Sequence, residues 1–250
     1  ACNPLRAYPD TKAYEKAFNS LDLLVVNDIV LSETARHAHY VLPCRTFYES
    51  WDATFFPLTY PEVFLQLRRP VVTPPENCLE ASQILTRIAD RMGVIPEIPD
   101  TLQAAAKGGN RLSFAAALME YAGQTPGALP RMPFVLAQTL GRAWDSAACA
   151  GLWGLLANAP KAFHENAARA GFAIGPDQGD RIFQALLDHP EGIWVGRADA
   201  DNPMAGIRTE SGKIEVFIPE LEAGVLGLTP ENEAADLEMP ADFPLVLNAG

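Results

Sequence analysis

The chain has few basic residues and no long apolar run. Lys and Arg number 19 against 31 Asp and Glu, which gives a formal net charge of −12. Binding to a nucleic-acid backbone requires clustered positive charge, so this balance argues against a nucleic-acid partner. It does not exclude a single anionic ligand in a local pocket. No apolar stretch approaches the roughly 20 residues that span a bilayer, and we therefore expect no transmembrane segment.

Cysteine is scarce, and the common catalytic and metal-binding motifs are missing. The four cysteines lie far apart without Cys-x-x-Cys spacing, which favours reduced thiols in a core over a metal site or a disulfide frame: Cys2, Cys44, Cys78 and Cys149. The sequence contains no Gly-x-Gly-x-x-Gly, P-loop, Gly-x-Ser-x-Gly or His-Glu-x-x-His motif. His37 and His39 lack a third ligand at useful spacing and are interpreted as partly exposed side chains. We therefore assign no catalytic residue and no metal ligand.

The composition is that of a globular protein. With 48% hydrophobic and 20% charged residues among 250, the chain can bury a sizeable core, as one large domain or two small ones. "LDLLVVNDIVL" (21–31) is a β-branched apolar run typical of a strand buried on both faces of a parallel sheet. A helix over 10–20 with Asp10 as N-cap precedes it, and a short helix from Ser32 and the strand "YVLP" (40–43) follow. This alternation predicts an α/β fold, with a layered parallel-type sheet and flanking helices.

The remainder of the chain is predicted to be mostly helical. An amphipathic helix over 79–93 ends at Gly93, and the Ala- and Leu-rich stretch 101–190 is interpreted as several short helices. The shorter predicted features are a strand at 63–67, a solvated charge pair in "RRP" (68–70), a strand over 212–219 and an acidic surface loop over 229–242. The chain starts without Met and stops in what looks like a strand, so we expect a piece of a longer polypeptide, and the sequence leaves its compartment open.

Polar side chains cluster where two strands are expected to end. Asn27 and Asp28 close the first strand, and Asn3 in "CNPLRAYP" follows another strand end, where Pro4 is expected to force an extended turn. In open α/β sheets, ligands bind beyond the carboxyl ends of parallel strands, and a helix starting near Ser32 would offer free N–H groups to a phosphate. The residues alone leave two interpretations open: a nucleotide-like ligand at this edge, or turns that are merely capped.

Three stretches of the first 93 residues resemble the molybdopterin oxidoreductases of the dimethyl-sulfoxide-reductase and formate-dehydrogenase type. They are "ACNPLRAYPD", "VVNDIVLSETARHAHYVLPC" and "FYESWDATFF", in the family's order and at matching separation. The helix "PPENCLEASQILTRIADRMG" and the later "TESGKIEVFIPEL" support the resemblance, which is dense over 1–93 and patchy over 189–250. The resemblance implies an internal to C-terminal segment of a catalytic subunit.

The resemblance also implies a cofactor, a molybdenum or tungsten ion held by two molybdopterin guanine dinucleotides, with an iron–sulfur cluster in the N-terminal part of the parent protein. Positions that align with the family's motifs are then cofactor-binding candidates: Asn3, Asn27, Asp28, Ser50 and Glu80. Asn27 and Asp28 would bind the guanosine part, Ser50 stands where the family often has Lys, and Glu80 stands where it often has Asp. The implied partners are the pterin dinucleotide, the remainder of the parent polypeptide and an electron-transfer subunit.

The implied domain order has four parts: a dinucleotide-binding α/β segment (1–95), a helical region (96–190), a return segment with a strand (191–242) and the start of a C-terminal barrel (243–250). The intact parent would be a two-electron oxidoreductase in which metal and pterin carry the redox step. One alternative is a degenerate, non-catalytic cofactor-binding or assembly module, because Ser50 and His39 depart from the family pattern. A nicotinamide-dependent dehydrogenase is disfavoured because no Gly-rich phosphate loop occurs.

Overall fold

The computed structural model describes residues 3–54, 61–197, 207 and 209–236. By its internal contacts the chain forms two units, residues 1–198 and 199–250, and the candidate site lies in the first. The prediction of an α/β fold with an additional helical region is confirmed. Among the described helices, none is long and apolar enough to cross a membrane.

A two-stranded parallel sheet lies near the start of the first unit. Strand β1 (Val25–Asp28) pairs in parallel with β2 (Tyr40–Pro43), so that Asp28 lies opposite Pro43. Both strands therefore end at the same edge of the sheet. The prediction of a strand buried on both faces was wrong, because Leu23 and Val25 are 60% and 41% exposed. Within the described residues this sheet has only two strands, and two strands cannot cover each other's faces.

Short helices and turns surround this sheet. Helix α1 (Pro4–Ala7) begins at Pro4, where an extended turn was predicted, because the first helical position needs no N–H donor. Helix α2 (Thr11–Asn19) confirms the helix predicted over 10–20, and the Asp10 side chain accepts a hydrogen bond from the Ala13 N–H at 3.1 Å. The helix predicted from Ser32 is reduced to one 3₁₀ turn (Ala35–His37).

Antiparallel pairs follow the parallel sheet. Strand β3 (Asp52–Ala53) pairs with β5 (Leu67–Arg68), and β4 (Glu62–Leu65) pairs with β6 (Ile193–Arg197), a strand that the sequence patterns did not indicate. The strand predicted at 63–67 is thus divided between β4 and β5. A 3₁₀ turn (Phe47–Glu49) precedes β3.

Helices form most of the first unit after the sheets. The predicted amphipathic helix is α3 (Ala81–Arg91), and Gly93 follows it with a left-handed φ of 68°. The remaining helices are α4 (Asp100–Lys107), α5 (Arg111–Gln124), a 3₁₀ turn (Leu129–Arg131), α6 (Met132–Gln138), α7 (Leu140–Ala143), α8 (Ala147–Ala157), α9 (Lys161–Arg169) and α10 (Gln178–Asp188). Phe114, Val135 and Ile182 are fully buried among these helices, and Leu67 and Val195 bring β5 and β6 into the same core.

The second unit contains two described helices, α11 (Pro219–Leu226) and α12 (Pro230–Asp236). The strand predicted over 212–219 was wrong, because 214–218 pair with no strand in the described part of the chain and Pro219 starts α11. The predicted acidic loop begins as α12, whose first-turn Glu231 and Glu233 favour a helix N-terminus. The rest of that loop, and the expected barrel start at 243–250, lie outside the described residues.

Candidate functional site

One cleft in the first unit is lined by all five side chains that the sequence motifs predicted, and its volume is about 730 Å³. A cleft of this size falls within the range of small-molecule and cofactor sites. Its walls come from the carboxyl ends of β1 and β2, the turn before β3, strand β5, and the N-terminal ends of α3 and α8. The residues that line it are Asn3, Asn27, Asp28, Ile29, Val30, Ser32, Cys44, Arg45, Thr46, Phe47, Ser50, Trp51, Asp52, Arg68, Glu80, Ala81, Ser82 and Ala148.

Two of the predicted residues present side chains that bind nothing else. Asn27 lies near the end of β1, where it pairs with Leu42 through its backbone only. Ser50 directly follows the 3₁₀ turn (Phe47–Glu49). Both side chains are half-buried, and neither forms a hydrogen bond with any residue that the structure describes. The amide and the hydroxyl can therefore bind a ligand without breaking an internal contact.

Asp28 is an oriented carboxylate at the end of β1. Its Oδ2 accepts a hydrogen bond from the Ser32 hydroxyl at 2.6 Å, and its Oδ1 accepts one from the Ile29 N–H at 2.7 Å. The Ser32 hydroxyl lowers the pKa of Asp28, and the backbone N–H groups add to this effect. Each carboxylate oxygen keeps acceptor capacity, so the ionised group can accept N–H or O–H donors of a ligand. Ser32 thereby orients Asp28. The Thr34 and Ala35 N–H groups, which were predicted to be free for a phosphate, donate to Asn3 and Ser32 instead.

Asn3 is held by internal contacts. Its Oδ1 accepts hydrogen bonds from the Thr34 hydroxyl at 2.6 Å and the Thr34 N–H at 3.2 Å, while its Nδ2 donates to Glu33 Oε2 at 2.6 Å. Arg6 donates to the other oxygen of Glu33 at 3.0 Å. The pKa of Glu33 is lowered to about 2 by its own backbone N–H and then by Asn3 and Arg6. Asn3 therefore fixes the rim of the cleft, and Glu33 and Thr34 hold it there.

Glu80 is a buried carboxylate, 4% exposed, in the cleft wall. Its Oε1 accepts a hydrogen bond from the Ser146 hydroxyl at 2.7 Å, and its Oε2 accepts from the Ala148 N–H at 3.2 Å and the Ser82 hydroxyl at 3.3 Å. The Gln83 side chain in turn accepts from the Glu80 N–H at 3.0 Å. The carboxylate thus ties the N-terminal ends of α3 and α8 together, and internal donors use most of its acceptor capacity.

Sequence patterns missed several residues of the cleft. Arg45 follows β2, so the rule that ligands bind at the carboxyl ends of parallel strands, which indicated Asn27, applied equally to Arg45. Its guanidinium donates a hydrogen bond to Asp145 Oδ2 at 2.9 Å. The interpretation of "RRP" as a solvated pair was wrong for Arg68, which is half-buried in the cleft with its guanidinium 5.6 Å from the Phe47 ring centre. Arg69 is exposed and donates to the Leu187 carbonyl at 2.8 Å.

The described cysteines and histidines take structural positions. Cys44 and Cys149 are buried free thiols whose pKa is raised by burial, to about 12 for Cys149, whereas Cys78 is half-buried and Cys2 lies outside the described residues. The His39 Nδ1 accepts a hydrogen bond from the Leu24 N–H at 2.9 Å. Among the residues that the structure describes, no three His, Cys, Asp or Glu side chains are grouped so that they could hold a metal ion.

Comparisons with known proteins identify the segment that carries this cleft. Residues 1–91 match the family model of the molybdopterin oxidoreductases. The F420-dependent formate dehydrogenase subunit alpha of Methanocaldococcus jannaschii is 45% identical over 91 residues, which are 36% of this chain and 13% of that protein. A trimethylamine-N-oxide reductase of Haemophilus influenzae is 34% identical over 92 residues, which are 37% of this chain and 11% of that protein.

The chain therefore covers only a small part of these curated relatives, and no solved structure matches it. The match of residues 1–91 to this family model confirms the resemblance drawn from the motifs.

Proposed function

We propose that residues 1–91 form part of the binding site for the guanosine end of a molybdopterin guanine dinucleotide, within a larger molybdenum- or tungsten-dependent oxidoreductase. The observation that carries the proposal is the convergence of Asn3, Asn27, Asp28, Ser50 and Glu80 on one cleft. The match of the same segment to the molybdopterin family, whose motifs directed attention to these residues, also supports it. When bound, the metal and pterin would supply two-electron redox chemistry, and the chain would supply binding and orientation.

The residues of the cleft fit a guanosine. A guanine edge presents N–H donors and a ribose presents hydroxyls, and both suit the ionised carboxylate of Asp28. The side chains of Asn27 and Ser50 have donors and acceptors that no described residue uses. Asn3 and Glu80 contribute indirectly in this proposal, because their internal hydrogen bonds fix the rim and the wall of the cleft.

The activity belongs to the intact parent in this proposal. We assign no catalytic residue or metal ligand to this chain, and we expect the 250-residue chain alone to bind the nucleotide part without redox activity. For the intact parent we also propose the bis-dinucleotide form of the cofactor, an iron–sulfur cluster and an electron-transfer subunit. The domain boundaries at 95, 190 and 242 are part of the same proposal. The relatives' names, formate dehydrogenase and trimethylamine-N-oxide reductase, support an oxidoreductase.

Isothermal titration calorimetry with guanosine diphosphate tests the proposal on the chain itself, with ADP and NADH as comparisons. We expect saturable binding of guanosine diphosphate and weaker binding of ADP. The Asp28→Asn variant should bind guanosine diphosphate about tenfold to a hundredfold more weakly, since a hydrogen bond to a charged group contributes about 1.5–3 kcal/mol. Asp22→Asn is the matched control, because Asp22 is exposed and lies outside the cleft. Absence of guanosine diphosphate binding would contradict the proposal, and tight NADH binding would favour a nicotinamide enzyme.

A second candidate is a degenerate module that binds cofactor or assists assembly without catalysis. Ser50 favours it, because this side chain supplies no positive charge where the family often has Lys. Metal and pterin analysis of the parent protein, purified from its host, separates the two candidates. About one Mo or W per polypeptide supports the oxidoreductase, and pterin binding without metal supports the module.

A further inference from the structure

Arg68 is a charged side chain in the cleft whose hydrogen-bonding capacity is unused. We propose that its guanidinium binds a phosphate of the nucleotide that the cleft holds, an inference that rests on the function proposed above. Arg68 lies in β5 and lines the cleft opposite Asp52 of β3. Its Nη1 and Nη2 are buried, and neither has a hydrogen-bond partner among the described residues.

No described acceptor lies within hydrogen-bond distance of the Arg68 Nη atoms. The nearest acid, Asp52, approaches only to 3.8 Å between Oδ2 and Nη2, which is beyond hydrogen-bond distance. The Phe47 ring centre lies 5.6 Å from the guanidinium carbon, a cation–π contact that uses none of its N–H groups. A buried guanidinium without hydrogen-bond partners is costly and rare in native proteins, and an anionic ligand in the cleft would satisfy it.

The other arginines near the cleft are already satisfied. Arg45 donates to Cys78 and Asp145, so its fork of donors is directed into the protein. Arg69 donates a hydrogen bond to the Leu187 carbonyl, and its guanidinium carbon lies 5.7 Å from the centre of the Trp51 ring. Of the two described arginines that line the cleft, Arg68 is thus the one whose Nη groups make no hydrogen bond, and it supplies the positive charge that Ser50 cannot. The planar guanidinium fork matches phosphate oxygens in a bidentate arrangement.

The test compares guanosine diphosphate with guanosine, because the two probes differ only in the phosphates. In the wild-type chain we expect guanosine diphosphate to bind about tenfold to a hundredfold more tightly than guanosine, as charge-assisted hydrogen bonds to phosphate require. In Arg68→Gln we expect the two probes to bind equally, with guanosine affinity unchanged. Arg69→Gln is the matched control and should keep the wild-type preference. Inorganic pyrophosphate should bind more weakly than guanosine diphosphate and lose this binding in Arg68→Gln.

Thermal unfolding of the chain without ligand separates binding from a structural role. Replacing an arginine whose donors are unsatisfied should leave Tm unchanged or raise it, whereas Arg69→Gln removes a formed hydrogen bond and should lower it. Arg68→Lys, which keeps the charge, should recover part of the preference for guanosine diphosphate. The assignment is overturned if Arg68→Gln keeps the preference, if it lowers Tm and both affinities together, or if pyrophosphate binds as tightly as guanosine diphosphate. If the wild-type chain binds neither guanosine nor guanosine diphosphate, the proposed function fails first and this inference fails with it.

Discussion

The Ser146 hydroxyl donates a hydrogen bond of 2.7 Å to Oε1 of Glu80, across 66 residues of sequence. Ser146 also caps α8 by accepting from the Cys149 N–H at 3.0 Å, and Glu80 occupies the N-cap position of α3. One buried carboxylate therefore joins the segment that matches the molybdopterin family to the helical region after it. This contact gives the wall of the cleft a fixed position, because two helix ends converge on it.

We expect Glu80→Ala to destabilise the chain by about 2–4 kcal/mol, since the Ser146 hydroxyl and the Ala148 N–H would lose their buried acceptor. Chemical denaturation measures this change. Glu76→Ala is the matched control, because Glu76 is exposed and makes no hydrogen bond or ion pair with a described residue. Equal stabilities of the two variants would contradict the role assigned to Glu80.

Glu33 predicts a pH dependence of stability. The pKa of Glu33 is lowered from its ordinary value of 4.5 to about 2, chiefly by its backbone N–H and by Asn3. Because the pKa is lower in the folded state, the contribution of Glu33 is fully present above pH 4.5 and is lost as the pH falls towards 2.

The difference in Tm between the wild type and Glu33→Gln tests this dependence between pH 2 and pH 6. We expect the wild type to be more stable at pH 6 and the difference to disappear near pH 2, while Glu76→Gln shows no such trend. A constant difference across the range would show that Glu33 does not titrate with the pKa given.

Cys149 should resist thiol reagents in the folded chain. Its pKa is raised to about 12 by burial, and the thiolate that reacts is scarce at pH 8. We expect iodoacetamide to label the half-buried Cys78 before Cys149, and to label Cys149 only on unfolding, as peptide mass spectrometry would measure. Equal labelling rates of the two cysteines in the native chain would mean that the helical core opens readily.

In the intact parent, Asp28→Ala should lower cofactor occupancy. Loss of a hydrogen bond to a charged group costs about 1.5–3 kcal/mol, which at limiting cofactor leaves a large fraction of the protein unloaded. Metal content and the guanine nucleotide released by acid hydrolysis measure the occupancy. Equal occupancy of the variant and the wild type, at the cofactor concentration that half-loads the wild type, would refute the role given to Asp28.

The local parts of the site were predictable from sequence. The run "VVND" ends a strand, and the rule that ligands bind at the carboxyl ends of parallel strands directs attention to Asn27 and Asp28. The same rule, applied to β2, would have found Arg45. The alternation of helices and strands predicted a parallel-type sheet, and β1 does pair with β2 in parallel.

Long-range parts of the site were not predictable. The partners of Glu80 lie 66 and 68 residues away, and no local pattern indicates them. "RRP" has the sequence of a solvated pair, and only the pairing of β5 with β3 turns Arg68 into the cleft while Arg69 stays exposed. The segment 212–219 has strand-forming residues, but β propensity without a partner strand does not form a sheet.

Hydrogen–deuterium exchange of the full chain with guanosine diphosphate locates the ligand on the chain and therefore shows whether it binds in this cleft. We predict slower exchange in peptides that cover 27–32 and 44–52, which contribute to the cleft, and unchanged exchange in α5, which does not. The Asp28→Asn variant should lose this protection at the same ligand concentration. Protection that appears only outside the cleft, or no protection at saturating ligand, would contradict the claim that this cleft binds the guanosine end of the cofactor.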